Sequence, residues 1–160
     1  MGPDGDLVGQ RLARGSRCFV VWVDGAVAGY GWLSTGPEWI GELQLEITPR
    51  AGEGYIWNCV TLPEHRRKGV FRSLLVGMSQ AARLEGLARL WIGTVAIPAE
   101  RALQPSGFRP ALRFSHLRIA GLHSMRVTAA GDPRLVADAS AVLGVQPGRL
   151  PLRRLRRRRH

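Results

Sequence analysis

Apolar and polar positions alternate through much of the first sixty residues. Arg17 to Val23 is dense in Val, Phe and Trp, runs into Asp24-Gly25, and is followed by the β-rich stretch Ala26 to Ser34. Asp-Gly between two such runs is a strong signal for a two-residue hairpin turn, so this segment predicts a β-hairpin. Past Thr35-Gly36-Pro37, the run from Glu42 to Thr48 alternates with period two and predicts a half-buried strand. After a turn from Pro49 to Gly54, Tyr55 to Val60 predicts a further strand. From Arg72 the period changes: Leu75, Met78, Ala82 and Leu84 to Leu87 recur at helical spacing, predicting a helix that ends at Gly86. Leu90 to Val95 predicts a short strand, and Ala99 to Leu103 a short helix closed by Pro105 and Gly107. Phe114 to Ile119 and His123 to Thr128 predict two strands around Ala120-Gly121, and Arg134 to Leu143 a last helix. Four strands, a helix and then mixed elements imply an α/β (α+β) fold with one central sheet.

Length and composition narrow the class. A chain of 160 residues holds one core comfortably and two with difficulty, so a single domain over 17–145 is expected. A flexible N-terminus is expected over 1–16 and a disordered Arg-rich tail over 146–160. No apolar run approaches the roughly 20 residues that a membrane span requires. The opening MGPDGDLVGQRLARG lacks the apolar stretch of a secretory signal and carries two aspartates, and Asp6 stands where a myristoylation site has Ser or Thr. A cytoplasmic protein without membrane partners is expected. Cys18 and Cys59 sit in strand-like runs with no ligand-spaced Cys or His beside them, which reads as buried, reduced thiols and no metal site.

The net charge of +11 points toward nucleic acid until it is located. Seven arginines and no acid lie in 149–160, and 11 less that 7 leaves +4 for the remainder. The tail is short and terminal, contains Pro151 and follows Pro147-Gly148, so a disordered extension is expected and a nucleic-acid partner is not.

Chemistry concentrates in Val60 to Leu75. Pro63 stops a strand, the cations Arg66, Arg67 and Lys68 precede Gly69, and a helix follows. Free N–H groups at a helix start, the positive end of its dipole and adjacent cations make an anion site suited to a diphosphate. Arg66-Arg67-Lys68-Gly69-Val70-Phe71, after Pro63 and before Leu74-Leu75, resembles the acetyl-CoA signature Arg/Gln-x-x-Gly-x-Gly/Ala of the GNAT (GCN5-related N-acetyltransferase) superfamily. Leu90 to Val95 and Gly107-Phe108 resemble that family's next strand and the end of its following helix, so the likeness covers roughly 17–128.

The resemblance implies a mixed, mostly antiparallel central sheet flanked by helices, and acetyl-CoA as co-substrate. Acetyl-CoA would bind at Arg66 to Arg72, with backbone amides of Arg67, Lys68, Gly69, Val70, Phe71 and Arg72 on the pyrophosphate and Val60, Thr61 and Leu62 pairing with the pantetheine arm. Amides near Val60 would polarise the thioester carbonyl. The acetyl group would pass to a primary amine by direct attack, with metabolite, drug and protein amines all open as acceptors. The chain departs from the family in four respects. Phe71 replaces a small residue. Ala96 falls where an asparagine often contacts the cofactor, and Leu103 where a tyrosine is often the general acid. Only about 16 residues stand where the family's N-terminal strand and helix pair belong, too few for all three at typical lengths. The acceptor side is therefore expected to be open, supplied by a partner subunit in a homodimer, or lost by truncation. These departures motivate a second reading, a catalytically degenerate acyl-CoA-binding or interaction module.

The attack needs a group that takes the amine proton, commonly a glutamate. Glu46 is the candidate, with Glu42 on the same face of its strand; against it, that face also carries Gln44 and Thr48 and reads as solvent-facing. His65 reads as a phosphate-side or surface group and His116 as a structural strand histidine. Cys59 lacks a partner base and reads as a small core residue. Trp32, Trp39 and Trp57 read as core around the hairpin, with an acceptor-pocket role as the alternative.

Overall fold

The computed structural model describes residues 5–95, 97–119 and 122–153, with nothing said of the side chains at 5, 6, 97, 98, 116–119, 122, 123 and 149–153. The chain forms two compact units, 1–108 and 109–160.

The first unit is built on the predicted hairpin. Strand β1 (Arg17–Val23) pairs antiparallel with β2 (Ala26–Ser34), and Asp24 and Gly25 take the positive φ angles of 50° and 78° that a tight turn of this hand demands. β2 pairs antiparallel with β5 (Glu53–Thr61), and β5 pairs in parallel with β6 (Arg89–Ile92), giving a four-stranded sheet in the order β1-β2-β5-β6. This is the expected mixed, mostly antiparallel sheet. Its covering helix is α2 (Val70–Leu84), which buries Val70, Leu74, Leu75, Met78 and Ala82. Leu74, Leu75, Met78 and Ala82 join Leu33 and Ile56 in the core of this unit. Each of the larger side chains contributes about 1.5–3 kcal/mol by leaving water. α3 (Ile97–Leu103) follows β6.

Gly29 sets how closely β2, β5 and α2 approach. A Cβ there would lie 2.7 Å from the Val60 carbonyl oxygen and 3.0 Å from the Val70 Cγ1, so only hydrogen fits.

The structure departs from the sequence expectation at three places. The 42–48 strand is broken: residues 41–44 turn, with the Leu43 N–H bonded to Ile40 O, the Gln44 N–H to Gly41 O, and Gln44 at φ 54°. A two-stranded ribbon, β3 (Glu38–Ile40) with β4 (Leu45–Ile47), takes the place of that strand, so Glu42 shares no strand face with Glu46. The 1–16 segment is not wholly irregular, since α1 spans Gly5–Ala13. Nine residues with two glycines are marginal as an isolated helix, and the sequence carries no strong signal for one. Arg14 and Gly15 close it, and the Ser16 N–H bonds back to Arg11 O at 3.0 Å.

The third correction concerns the single sheet. In the second unit β7 (Leu112–Ile119), β8 (Leu122–Ala129) and β9 (Gly148–Arg153) form a separate three-stranded antiparallel sheet. The start of the segment expected to be disordered is therefore a paired strand; residues 154–160 of the tail lie outside the described residues. α4 (Pro133–Leu143) is well delimited, with Asp132 Oδ1 accepting from the N–H groups of Arg134 and Leu135, and Gly144 at φ 60° as its stop.

Candidate functional site

The first feature of the site is a gap in the sheet. β5 and β6 pair from Glu53↔Arg89 to Ile56↔Ile92, after which β5 continues for five residues with no partner on that side among the described residues. The divergence coincides with a bulge. Between the pairs Trp32↔Trp57 and Tyr30↔Val60, β2 advances two residues and β5 three, and Asn58 absorbs the extra one at φ 46°. Bulge and splay expose one backbone edge of β5 across Trp57 to Thr61, the segment assigned to the pantetheine arm.

The second feature is the loop that leads from this strand into α2. Pro63–His65 is a 3-10 turn, Arg67 takes φ 62°, and Gly69, at φ 80°, is the residue before the helix. No side chain caps α2 and its first turn holds no acid. Ser73 is the first residue whose N–H bonds back, to Gly69 O at 3.0 Å. The donors before it therefore stand open toward an anion, in the field of the positive helix end. Arg66, Arg67, Lys68 and Arg72 are exposed around them, and the Arg66 Nε donates to Thr61 O at 3.4 Å, tying loop to strand. Gly69 is needed for its φ, since open space surrounds the position a Cβ would occupy. Phe71 packs against the core rather than into the loop. The site residues read from the sequence thus fall into one continuous stretch, Val60, Thr61 and Leu62 on the splayed strand and Arg66 to Arg72 at the helix start.

The remaining candidates disperse. Glu46 is exposed on β4, opposite Trp39. His65 is half-buried, with its Nδ1 unpartnered among the described residues. The side chain of His116 and all of Ala96 lie outside the described residues, while Leu103 packs on the core. Cys59 also packs on the core, and burial pushes its thiol up to about 12, far from thiolate character. Cys18, expected to be buried, is exposed on β1, and both thiols are free. Among the described residues no cluster of three or more His, Cys, Asp or Glu side chains is arranged to hold a metal, and no helix is long and apolar enough to cross a membrane.

Glu38, with Ser16, Ser34, Arg11 and Arg14, was not singled out by the sequence and gathers on the sheet face that carries Trp57. Glu38, only 8% exposed, accepts at Oε1 from Ser34 Oγ at 2.8 Å and from Ser16 Oγ at 3.2 Å. Ser34 Oγ in turn accepts from Trp57 Nε1 at 2.9 Å. Glu38 Oε2 makes a long ion pair with Arg14, 3.9 Å away. Trp32, at 2% exposure, lies 5.9 Å from Trp57 between ring centres, and the Arg11 guanidinium sits over both rings at 5.1 and 4.8 Å. Tyr55, two residues before Trp57, has its hydroxyl pushed up to about 12, first by burial, then by the nearby Glu42, by the ionisation of Cys59 in the same alkaline range and by Glu38. Leu7, Gln10, Arg11, Arg14, Glu38, Trp39 and Trp57 line an open pocket of about 210 Å³. Trp32 is thus core as expected, whereas Trp39, 54% exposed, and Trp57 line this pocket.

A splayed parallel pair, a bulged strand and an uncapped helix behind a basic loop agree with a match of residues 3–105 to the Acetyltransferase (GNAT) family. The chain belongs to the GNAT acetyltransferase family. Solved structures of the same fold include an acetyltransferase from Trypanosoma brucei, with a TM-score of 0.52 and 18% identity over 71% of this chain and 76% of that one. A Bacillus subtilis acetyltransferase in complex with CoA gives a TM-score of 0.51 and 22% identity over 71% of this chain and 64% of that one. AAC(6')-Iy in complex with the bisubstrate analogue CoA-S-monomethyl-acetylneamine gives 0.55 and 16% over 74% and 81%. At these identities the likeness is one of fold. No curated protein matches the chain.

Proposed function

We propose that this GNAT chain is an N-acetyltransferase that moves an acetyl group from acetyl-CoA to a primary amine by direct attack. The observation that carries the reading is the continuity of two incomplete backbone surfaces, the free edge of β5 after Ile56 and the uncapped start of α2 after Gly69. The first suits the amide-bearing pantetheine arm and the second the diphosphate, and both are served by one stretch of chain. The N–H groups of Arg67 to Arg72 hold the phosphates, Arg66 and Lys68 add charge, and Val60 to Leu62 pair with the arm. Amides at the bulge polarise the thioester carbonyl.

The proton of the incoming amine goes to Glu38 in place of Glu46. Glu38 is buried, oriented by two hydroxyls and joined through Ser34 to Trp57, the residue before the bulge, whereas Glu46 stands in solvent. The C–N bond forms as the C–S bond breaks, and the second proton lost by nitrogen travels to the CoA sulfur.

Leu103, apolar and packed on the core, supplies no acid, which favours the binding-module reading as the alternative. Calorimetric titration with acetyl-CoA, paired with a CoA-release assay over a panel of amines, separates the two. Binding with amine-dependent release supports the enzyme. Binding without release with any amine supports the module, and no binding overturns both.

A further inference from the structure

We propose that the pocket bounded by α1 and the β3–β4 ribbon is the acceptor site, and that it selects a small amine carrying its own carboxylate, of the size of a free amino acid. This rests on the acetyltransferase reading for the amine alone; the preference for a carboxylate follows from the pocket itself. Two cations and one carboxylate face it, so it carries a net positive charge. The carboxylate is already occupied at one oxygen: both hydroxyl donors bind Glu38 Oε1, and among the described residues Oε2 has only the 3.9 Å contact to Arg14. Glu38 Oε2 is thus open to the ammonium of an acceptor.

Arg11 provides the complementary position. Its guanidinium lies 4.8 Å from the Trp57 ring centre and 5.1 Å from that of Trp32, and it makes no ion pair with a carboxylate among the described residues. Contact with two rings positions the guanidinium while leaving N–H donors to a ligand, and its planar fork of donors matches a carboxylate. Arg14, mostly exposed, reaches the same space from the end of α1. Arg14 lies 3.9 Å from Glu38 Oε2 and Arg11 lines the same pocket, so an ammonium at Glu38 and a carboxylate at the arginines are the two charged groups of one small molecule. The rings of Trp39 and Trp57 offer apolar contact to its side chain. At about 210 Å³ the pocket is below the roughly 300–1,000 Å³ typical of drug-sized ligands, which argues for a small acceptor.

The test is calorimetric titration of the full chain with L-phenylalanine, L-leucine and their carboxamides, in the presence and absence of CoA. An amino acid should bind roughly tenfold or more tighter than its carboxamide, the magnitude of one charge-assisted contact. Arg14→Gln and Arg11→Gln should each erase most of that ratio while leaving CoA affinity unchanged. Arg14→Gln is the safer variant for folding because the side chain is largely exposed. Equal binding of acid and amide, or binding of neither, overturns the proposal. CoA binding with no acid preference refutes the pocket assignment and spares the acetyltransferase reading, whereas loss of CoA binding alone refutes the latter.

Discussion

Glu38 and Glu46 sit on the two strands of one short ribbon and differ in everything but their chemistry. Glu38 faces inward to two serines; Glu46 faces outward across from Trp39. Glu38→Gln keeps the shape of the side chain and an oxygen for the two serine donors but removes the base, so kcat should fall by on the order of 10²–10⁴-fold. Glu46→Gln should leave kcat near that of the parent, and the reverse ranking would move the base to Glu46. Glu38 was not legible in the sequence because its environment is not local. Ser16 is 22 positions away and Trp57 reaches it only through Ser34, so no spacing near Glu38 marks it as buried. Gly69, by contrast, was legible because a basic turn before an amphipathic helix is a local pattern. Burial at the residue scale also has a pH signature. Cys59 and Tyr55, ordinarily near 9.0 and 10.0, are both pushed up to about 12. The folded chain then retains protons that the unfolded chain gives up. Their stabilising contribution is whole below about pH 9 and is lost as pH climbs through about 12. The melting temperature should therefore fall over that alkaline range, less steeply for Cys59→Ala. In the native state at neutral pH a thiol reagent should label Cys18 and spare Cys59.

At the scale of elements, the link between β2, β5 and α2 carries the account. Gly29→Ala would force its Cβ against the Val60 carbonyl and Val70, a contact that backbone must yield to. The displaced segment is the end of β5, so CoA affinity should drop together with the melting temperature. Gly69→Ala meets no atom but imposes left-handed backbone on an L-residue, costing about 1–2 kcal/mol and reorienting the donors before α2. Leu75→Ala, deep in the α2 interface, should cost about 2–5 kcal/mol with little change in CoA affinity once folded. A Gly29→Ala or Gly69→Ala chain that bound CoA as the parent does would detach the loop from the site. Elements with strong periodicity and punctuation, such as the Asp24-Gly25 hairpin, α2 and α4, were legible. The ones that were missed depend on distant partners. α1 is short and rich in glycine, with Arg11 lodged on two rings of the sheet. β9 is a strand only because β8 offers it an edge. The 42–48 run has strand periodicity, but the turn at 41–44 interrupts it.

At the scale of the molecule, the four-stranded sheet, its bulge and α2 gather the backbone groups proposed to hold a CoA-type ligand within 57–72, inside the matched family segment. The charge of the chain is a poorer guide, because seven of its arginines fall after residue 148 while the proposed ligand is held mainly by backbone donors. Binding of CoA should accordingly survive removal of residues 154–160 and weaken only modestly with salt. The most direct test of the central claim is titration of the full chain with acetyl-CoA, followed by calorimetry and by the melting temperature. One molecule should bind per chain and stabilise it by about 2.7 kcal/mol at a hundredfold excess over Kd, and Gly69→Ala should show a larger Kd and less stabilisation at the same acetyl-CoA concentration. Absence of heat and an unchanged melting temperature at millimolar acetyl-CoA would contradict it.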